Sequence, residues 1–355
     1  MDEQTLLAIL SGERRGVIVA ALRSACAVAS WGYATAIALR NAAFDHGWRR
    51  IHRVDAPVIS VGNLTTGGTG KTPVVAWLAN ELTRHGHRPA IVSRGYRSLD
   101  GLENDEARVL ARLCPAAIRI QNRDRVAGAT TAIQQHGCDA IILDDGFQHR
   151  RLHRDLDVVL IDALQPWGYG RLLPRGLLRE PVTALRRADV VVITRADQVT
   201  AEQLADLRLE LIHCGAPPRI AAVQFAPQRL IRTDGRTEPL SALEGQRVAA
   251  FCGLGNPRGF LQTVSPWNPV AEPRLFADHH HYTPTDFAAL EQWRQTIGAD
   301  VLLTTLKDLV KWPPGDPLGD HVRAIDIGVE FLTGRERVEE LLAGTLSHRT
   351  ERRAA

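Results

Sequence analysis

The stretch PVISVGNLTTGGTGKT, Pro57 to Thr72, constrains the chain more than any other. An apolar run, Val58, Ile59 and Val61, leads into a glycine-rich turn, Gly67, Gly68 and Gly70. Lys71-Thr72 then open a helix predicted to continue from Val74 to Arg84. This is the layout of a phosphate-binding loop. Glycines let backbone N–H groups crowd around a phosphate, and the helix N-terminus adds the positive end of its dipole. Lys71 is placed to reach the β- and γ-phosphates of a nucleotide, and the Thr72 hydroxyl to hold Mg²⁺. Thr65 and Thr69 complete the loop. The strict pattern G-x-x-x-x-G-K-[ST] asks for glycine where Thr65 stands, but the tail GGTGKT keeps the chemistry. A glycine-rich turn that binds nothing would leave Lys71-Thr72 without a purpose.

The strands that follow suit such a loop. Pro89–Ser93 (PAIVS), Asp139–Leu143 (DAIIL), Leu156–Asp162 (LDVVLID) and Ala188–Thr194 (ADVVVIT) are continuous apolar runs, not alternating ones. Runs of that kind form parallel sheets covered on both faces. Helices are expected over Asp105–Leu113, with Asp105 and Glu106 in the first turn, and from about Gln121 to His136. The run 139–143 ends in Asp144-Asp145-Gly146, like a Walker B element whose carboxylate holds Mg²⁺; the alternative for Asp144 is a helix cap. Gly168 to Pro181 is a long basic loop with one acid, Glu180, and loops of this length are usually functional. Thr194-Arg195-Ala196-Asp197 follows its strand as the base-reading N/T-K-x-D motif does, with Arg in place of Lys.

From about Gly215 the order restarts, with strands near 219–225, 247–252, 301–305 and 323–327 and a terminal helix over about 335–342. The fold class is therefore α/β: a P-loop NTPase-like, mostly parallel sheet covered by helices, with a second, smaller α/β domain and an N-terminal membrane-associated helix. The expected segments are 1–54 for that helix, 55–214 for the P-loop core, 215–347 for the smaller domain and 348–355 for a disordered tail. Asp278-His279-His280-His281 admits three readings. Adjacent histidines do not converge on one ion on a regular element, which weighs against metal. The others are a surface run and a catalytic histidine oriented by an acid.

Gly16 to Leu39 is almost wholly apolar, is interrupted by Arg23, and is flanked by Arg14, Arg15, Arg40, Arg49, Arg50 and Arg53. An amphipathic helix in the bilayer interface fits best, with Trp31, Tyr33 and Trp48 at headgroup level. A spanning helix, a signal peptide and a helix docked on the core are the alternatives. The formal net charge of +3 over 355 residues gives no argument for nucleic acid. Five scattered cysteines without a C-x-x-C pair suit a reducing cytoplasm.

In one order the chain carries SVGNLTTGGTGKTP, SRGY, NDEA, NRDR, ILDDGFQHRRL, GRLLPRGLLREP, CGLGNP, FADHHHYT and TLKDLVK. Together they resemble the tetraacyldisaccharide 4'-kinase family of lipid A biosynthesis across nearly the whole length. The resemblance implies ATP- and Mg²⁺-dependent phosphorylation of the 4'-hydroxyl of a tetraacylated glucosamine disaccharide 1-phosphate, giving lipid IV-A. It implies peripheral attachment to the cytoplasmic face of the inner membrane and no obligate protein partner. By position, Lys71 and Thr72 bind phosphate and Mg²⁺, Asp144 holds the metal with Asp145 beside it, and Glu180 is a further acid near the ion. Asp105 matches the family's base and His279 its partner; Arg123 and Arg125 match contacts to the acidic headgroup. This chain has Asn104 and Ala107 where the family has glycine and proline around Asp105-Glu106. The competing class is a P-loop GTPase or metallochaperone switch, to which GGTGKT and TRAD also suit; a non-enzymatic membrane anchor would leave Lys71 unexplained.

Overall fold

The computed structural model describes residues 3–95, 105–255, 257–278, 280–313 and 315–354. Tyr96 to Asn104 and His279 lie outside the described residues. The chain opens with α1 (Glu3–Ser11) and the long α2 (Val17–Asp45). Next come β1 (Val58–Asn63), α3 (Lys71–Arg84), β2 (Pro89–Ser93), α4 (Asp105–Leu113) and β3 (Ile118–Gln121). α5 (Arg125–His136) starts behind Asp124, whose carboxylate accepts from the amides of Val126 and Ala127. β4 (Ala140–Asp144), β5 (Leu156–Asp162) and β6 (Val190–Thr194) precede α6 (Ala201–His213), which Thr200 and Gln203 open with a reciprocal capping box. The remainder is β7 (Ile220–Arg232), β8 (Thr237–Glu238), β9 (Val248–Cys252), α7 (Arg258–Val264), β10 (Arg274–Leu275), α8 (Pro284–Ile297), β11 (Val301–Thr305), α9 (Leu306–Leu309), β12 (Val322–Thr333) and α10 (Arg335–Ala354).

The chain divides into two compact units, residues 1–95, 116–224 and 330–355 in the larger and 96–115 and 225–329 in the smaller. The border expected at 214/215 therefore falls at 224/225. Residues 330–347 return to the larger unit, which also takes in the N-terminal 1–54, and 96–115 joins the smaller. The strand signals near 219–225 and 323–327 were the ends of longer strands, 13 residues in β7 and 12 in β12, and the division falls inside both. α10 continues to Ala354, where a disordered tail from 348 was expected.

In the larger unit the strands run in the order β7-β6-β5-β1-β4-β2-β3, every pair parallel. β1 is central and buried at all six positions. One core cluster gathers Val58, Ile141, Leu143, Val92 and Ala129, and another Val159, Ile193, Leu185 and Leu211. Each buried Val, Leu or Ile of this kind stabilises the fold by about 1.5–3 kcal/mol. In the smaller unit β10-β9-β11-β12 are parallel and β8 pairs antiparallel with β7. Its core includes Leu230, Val248, Val264, Leu303 and Ile325.

The turn after β4 lies hard against β1. Gly146 N donates to Val61 O at 3.1 Å. A Cβ on Gly62 would sit 2.6 Å from Phe147 Cβ and 2.7 Å from its backbone N, so only glycine lets the two segments touch. Overpacking of this kind typically costs about 1–3 kcal/mol. Gly62→Ala should lower the urea midpoint accordingly, and an unchanged midpoint would mean the turn gives way freely.

His149, in the same turn, responds to pH. Burial first, then the charges of Arg125, Arg151 and Arg154 against Asp124, lower its pKa from 6.5 to about 4. Above pH 6.5 the ring is neutral in both states and contributes no pH dependence. Below it the unfolded chain binds a proton that the folded chain resists, so stability is lost as pH falls from 6.5 to about 4. His149→Gln should flatten the urea midpoint over that window; an unaltered slope would place its cause elsewhere.

Candidate active site

The loop between β1 and α3 is shaped by its glycines. Gly67 and Gly70 hold φ of 116° and 79°, and Gly70 is the N-cap of α3 in the left-handed conformation. A Cβ on Gly67 or Gly68 would meet nothing within 4 Å, so the glycine backbone faces open space. Thr194, which ends β6, and Arg195 just after it brace the loop from behind. Thr194 Oγ1 donates to Thr69 O at 3.0 Å, and Arg195 Nη2 donates to Gly68 O at 2.6 Å while its other arm pairs with Asp162. The Thr-Arg of TRAD thus supports the phosphate loop, and Asp197 is exposed beyond it. Thr65 is buried and bridges to Leu178.

Lys71 stands in the first turn of α3. Its ammonium donates to Asn63 Oδ1 at 3.1 Å and lies 3.5 Å from Asp145 Oδ1. Asn63 is fully buried at the end of β1, and its own amide donates to Thr65 O at 2.7 Å. Asp145 follows β4 at φ 55°, a left-handed position that is uncommon for a non-glycine residue. Its other oxygen accepts from Arg179 Nη1 at 2.7 Å. Burial pushes the Asp145 carboxyl up, but the charges of Lys71 and Arg179 outweigh it and hold the group below the usual carboxylate range. Thr72 and Asp144, each partly exposed, close this group. All of it sits at the carboxyl ends of parallel strands, where open α/β sheets bind ligands.

The donors fit a nucleotide phosphate and a divalent cation. Thr69 Oγ1 is buried without a hydrogen-bond partner, the glycine cradle is open, and the oxygens of Thr72 and Asp144 are hard ligands of the type Mg²⁺ takes. Among the described residues no group of three or more His, Cys, Asp or Glu gathers as a metal site; His279 lies outside them.

Other expected residues are placed differently. Glu180 is fully buried, and its two carboxylate oxygens are met by Arg40 and Arg187. In this structure it anchors the two arginines. Arg125 is 4 % exposed, with Nη1 donating to Asn122 O at 3.2 Å; burial lowers its pKa, opposed by Asp145 and Asp144. It is buried near the acidic pair, whereas Arg123 is exposed. Asp105 opens α4 in the smaller unit, 3.4 Å from Lys311 Nζ. It shares that unit with the neighbours of position 279, so the pair is not split between units as the sequence implied. His280 is structural: it stacks on Phe276 at 4.9 Å, with Nε2 3.1 Å from Asp286 Oδ2. Asn63 and Arg179 were not singled out in the sequence, and Arg195, read there as part of a base-reading motif, instead braces the phosphate loop. A polar residue ending an apolar strand was the available signal for Asn63, and the single arginine of LLREP, next to the acid of a basic loop, for Arg179.

The tetraacyldisaccharide-1-P 4'-kinase family model matches residues 22–347. A tetraacyldisaccharide 4'-kinase of Anaeromyxobacter dehalogenans is 39 % identical over 361 residues, covering 95 % of this chain and 94 % of its relative. That of Geobacter metallireducens is 41 % identical, covering 81 % and 88 %. The crystal structure of "apo" form LpxK from Aquifex aeolicus in complex with ATP superposes with a TM-score of 0.74 at 31 % identity, over 92 % of this chain and 99 % of that one. The match runs through the phosphate loop, the acidic turn and both units, and the chain belongs to the tetraacyldisaccharide-1-P 4'-kinase family: it is a kinase of lipid A biosynthesis.

Proposed function

We propose that the chain moves the γ-phosphoryl group of ATP to the 4'-hydroxyl of a tetraacylated glucosamine disaccharide 1-phosphate, working on the cytoplasmic face of the inner membrane. The observation that carries this is Lys71, held by Asn63 and Asp145 at the mouth of an open glycine cradle. The amides from Gly67 to Lys71 hold the phosphates, and Lys71 places positive charge on the oxygens of the transferring group. Thr72 and Asp144 would hold Mg²⁺, which would neutralise phosphate charge. Arg179 keeps Asp145 beside Lys71 and so fixes the lysine's direction. Asp105, with His279, takes the proton of the acceptor hydroxyl. Arg123 meets the acidic headgroup.

The lipid part of the substrate has two matching features. α2 buries only Ser30 and Phe44, leaving Ile18, Val28, Trp31 and Leu39 exposed as an apolar face for the bilayer interface. Beside it lies a cavity of about 820 Å³ lined by Trp31, Ala34, Trp167, Leu172, Leu178 and Val182 among others. Its mainly apolar wall suits an acyl chain.

Lys71→Ala should leave a folded protein that phosphorylates the disaccharide at least ~10²-fold more slowly, because preorganised charge of this type is worth about 3 kcal/mol or more. Near-normal turnover would remove Lys71 from the mechanism, and release of free phosphate without a lipid product would favour a nucleotide switch. For the membrane face, Ile18→Asp with Val28→Asp should weaken cosedimentation with anionic vesicles while leaving the melting temperature unchanged. Unaltered cosedimentation would assign the exposed face another role.

A further inference from the structure

α2 is apolar on its exposed side, yet it carries a polar stripe that membrane attachment does not need. Ser30, Tyr33, Arg40, Asn41 and Asp45 recur at helical spacing along one side. Ser30 Oγ lies 3.0 Å from Leu172 O and accepts from Arg175 N at 3.0 Å. Tyr33 OH donates to Arg179 O at 2.9 Å. Arg40 pairs with Glu180, and Arg150 donates to Asn41 O at 3.1 Å and to Asp45 Oδ1 at 2.6 Å. Ser30, Tyr33 and Arg40 therefore grip one short segment, Leu172 to Glu180, while Asn41 and Asp45 hold Arg150.

The same segment is bonded on its other side to the phosphate loop. Thr66 N donates to Leu177 O at 2.7 Å, and Arg179 N donates to Leu64 O at 2.7 Å. From there Arg179 reaches Asp145, and Asp145 faces Lys71. A second line leaves Glu180 through Arg187, whose guanidinium lies 4.5 Å above the Phe147 ring, two residues from Asp145. The segment is thus a strap with the apolar helix on one side and the phosphate site on the other.

We propose that Arg40 is a positioning residue for phosphoryl transfer. By pairing with the fully buried Glu180 it fixes the strap, and the strap sets Arg179 on Asp145 and, through it, the aim of Lys71. The helix that attaches to the membrane is then part of the support of the phosphate site. This rests on the kinase reading above. A buried carboxylate held between two arginines gives a defined geometry, because removing one partner leaves an unbalanced buried charge that must move. Displacements of about 1 Å near reacting groups cost up to ~10²-fold in rate.

The test is steady-state phosphorylation of the disaccharide 1-phosphate in detergent micelles, where vesicle attachment plays no part. Arg40→Ala should lower kcat by about tenfold or more with KM for the lipid unchanged, and Arg40→Lys should recover part of the loss. Arg40→Ala combined with Arg179→Ala should lose no more than Arg179→Ala alone, since both act on one connection. An unchanged kcat in Arg40→Ala, a change confined to lipid KM, or losses that multiply in the double variant would overturn the proposal. Should Arg40→Ala fail to fold, Tyr33→Phe and Arg40→Lys carry the test: lowered kcat in both supports it, and full kcat in both overturns it. The wild-type control separates the two readings. No lipid product from wild type overturns the kinase reading with this one, whereas a productive wild type with unaffected variants overturns only the role of Arg40.

Discussion

Asp145 is the constraint on which the larger unit turns. Its carboxylate stands between Lys71 of α3 and Arg179 of the strap, so it joins three pieces of chain that are far apart in sequence. Holding a non-glycine residue at φ 55° costs of order 1–3 kcal/mol, and the surroundings must impose it. They do so through the Gly146 amide on Val61 and the close contact of Gly62 with Phe147. The parallel order β5-β1-β4 brings the ends of β1 and β4 side by side, and the charges converge there because the strands do. The left-handed turn aims the carboxylate at the lysine, where an extended backbone would carry it along the strand direction.

α2 reconciles two demands that compete in most helices. One side is apolar and exposed, with Ile18 at 85 % and Trp31 at 73 %, which is consistent with attachment to a lipid surface. The other side spends its few polar groups on main-chain carbonyls and on a buried acid. Hydropathy averages the two sides and registers only the first. Among the described residues this is the one helix long and apolar enough to cross a bilayer by composition, yet the contacts of its polar stripe tie it to the unit that holds the phosphate loop.

What was legible in the sequence follows from what local pattern encodes. Buried parallel strands leave continuous apolar runs, so β2, β4, β5 and β6 were legible to within a residue or two. The phosphate loop was legible because glycine, lysine and threonine at fixed spacing have a mechanical reason to be there. β3 was missed because Ile118-Arg119-Ile120-Gln121 is short and only partly buried. The unit border was missed because β7 and β12 continue through it as strands, and Pro227 and Gly328 beside it do not interrupt them. In the site, Asp144, Asp145 and Lys71 came from motifs, but partner choice did not. Nothing local to Glu180 says that Arg40, 140 residues away, will meet it. Nor does NRDR say that Arg125 turns inward while Arg123 turns out. Such assignments depend on which strands become neighbours, a property of the whole fold.

The central claim is that this arrangement of loop, acid and lysine transfers phosphate to a lipid and does not merely bind or hydrolyse a nucleotide. Incubating the full chain with γ-labelled ATP, Mg²⁺ and the tetraacylated disaccharide 1-phosphate, then mapping the label by mass spectrometry, tests it most directly. The account requires label on the lipid at the 4' position, formed in step with ADP and dependent on the acceptor. Label recovered only as free phosphate, at a rate indifferent to the lipid, would contradict it.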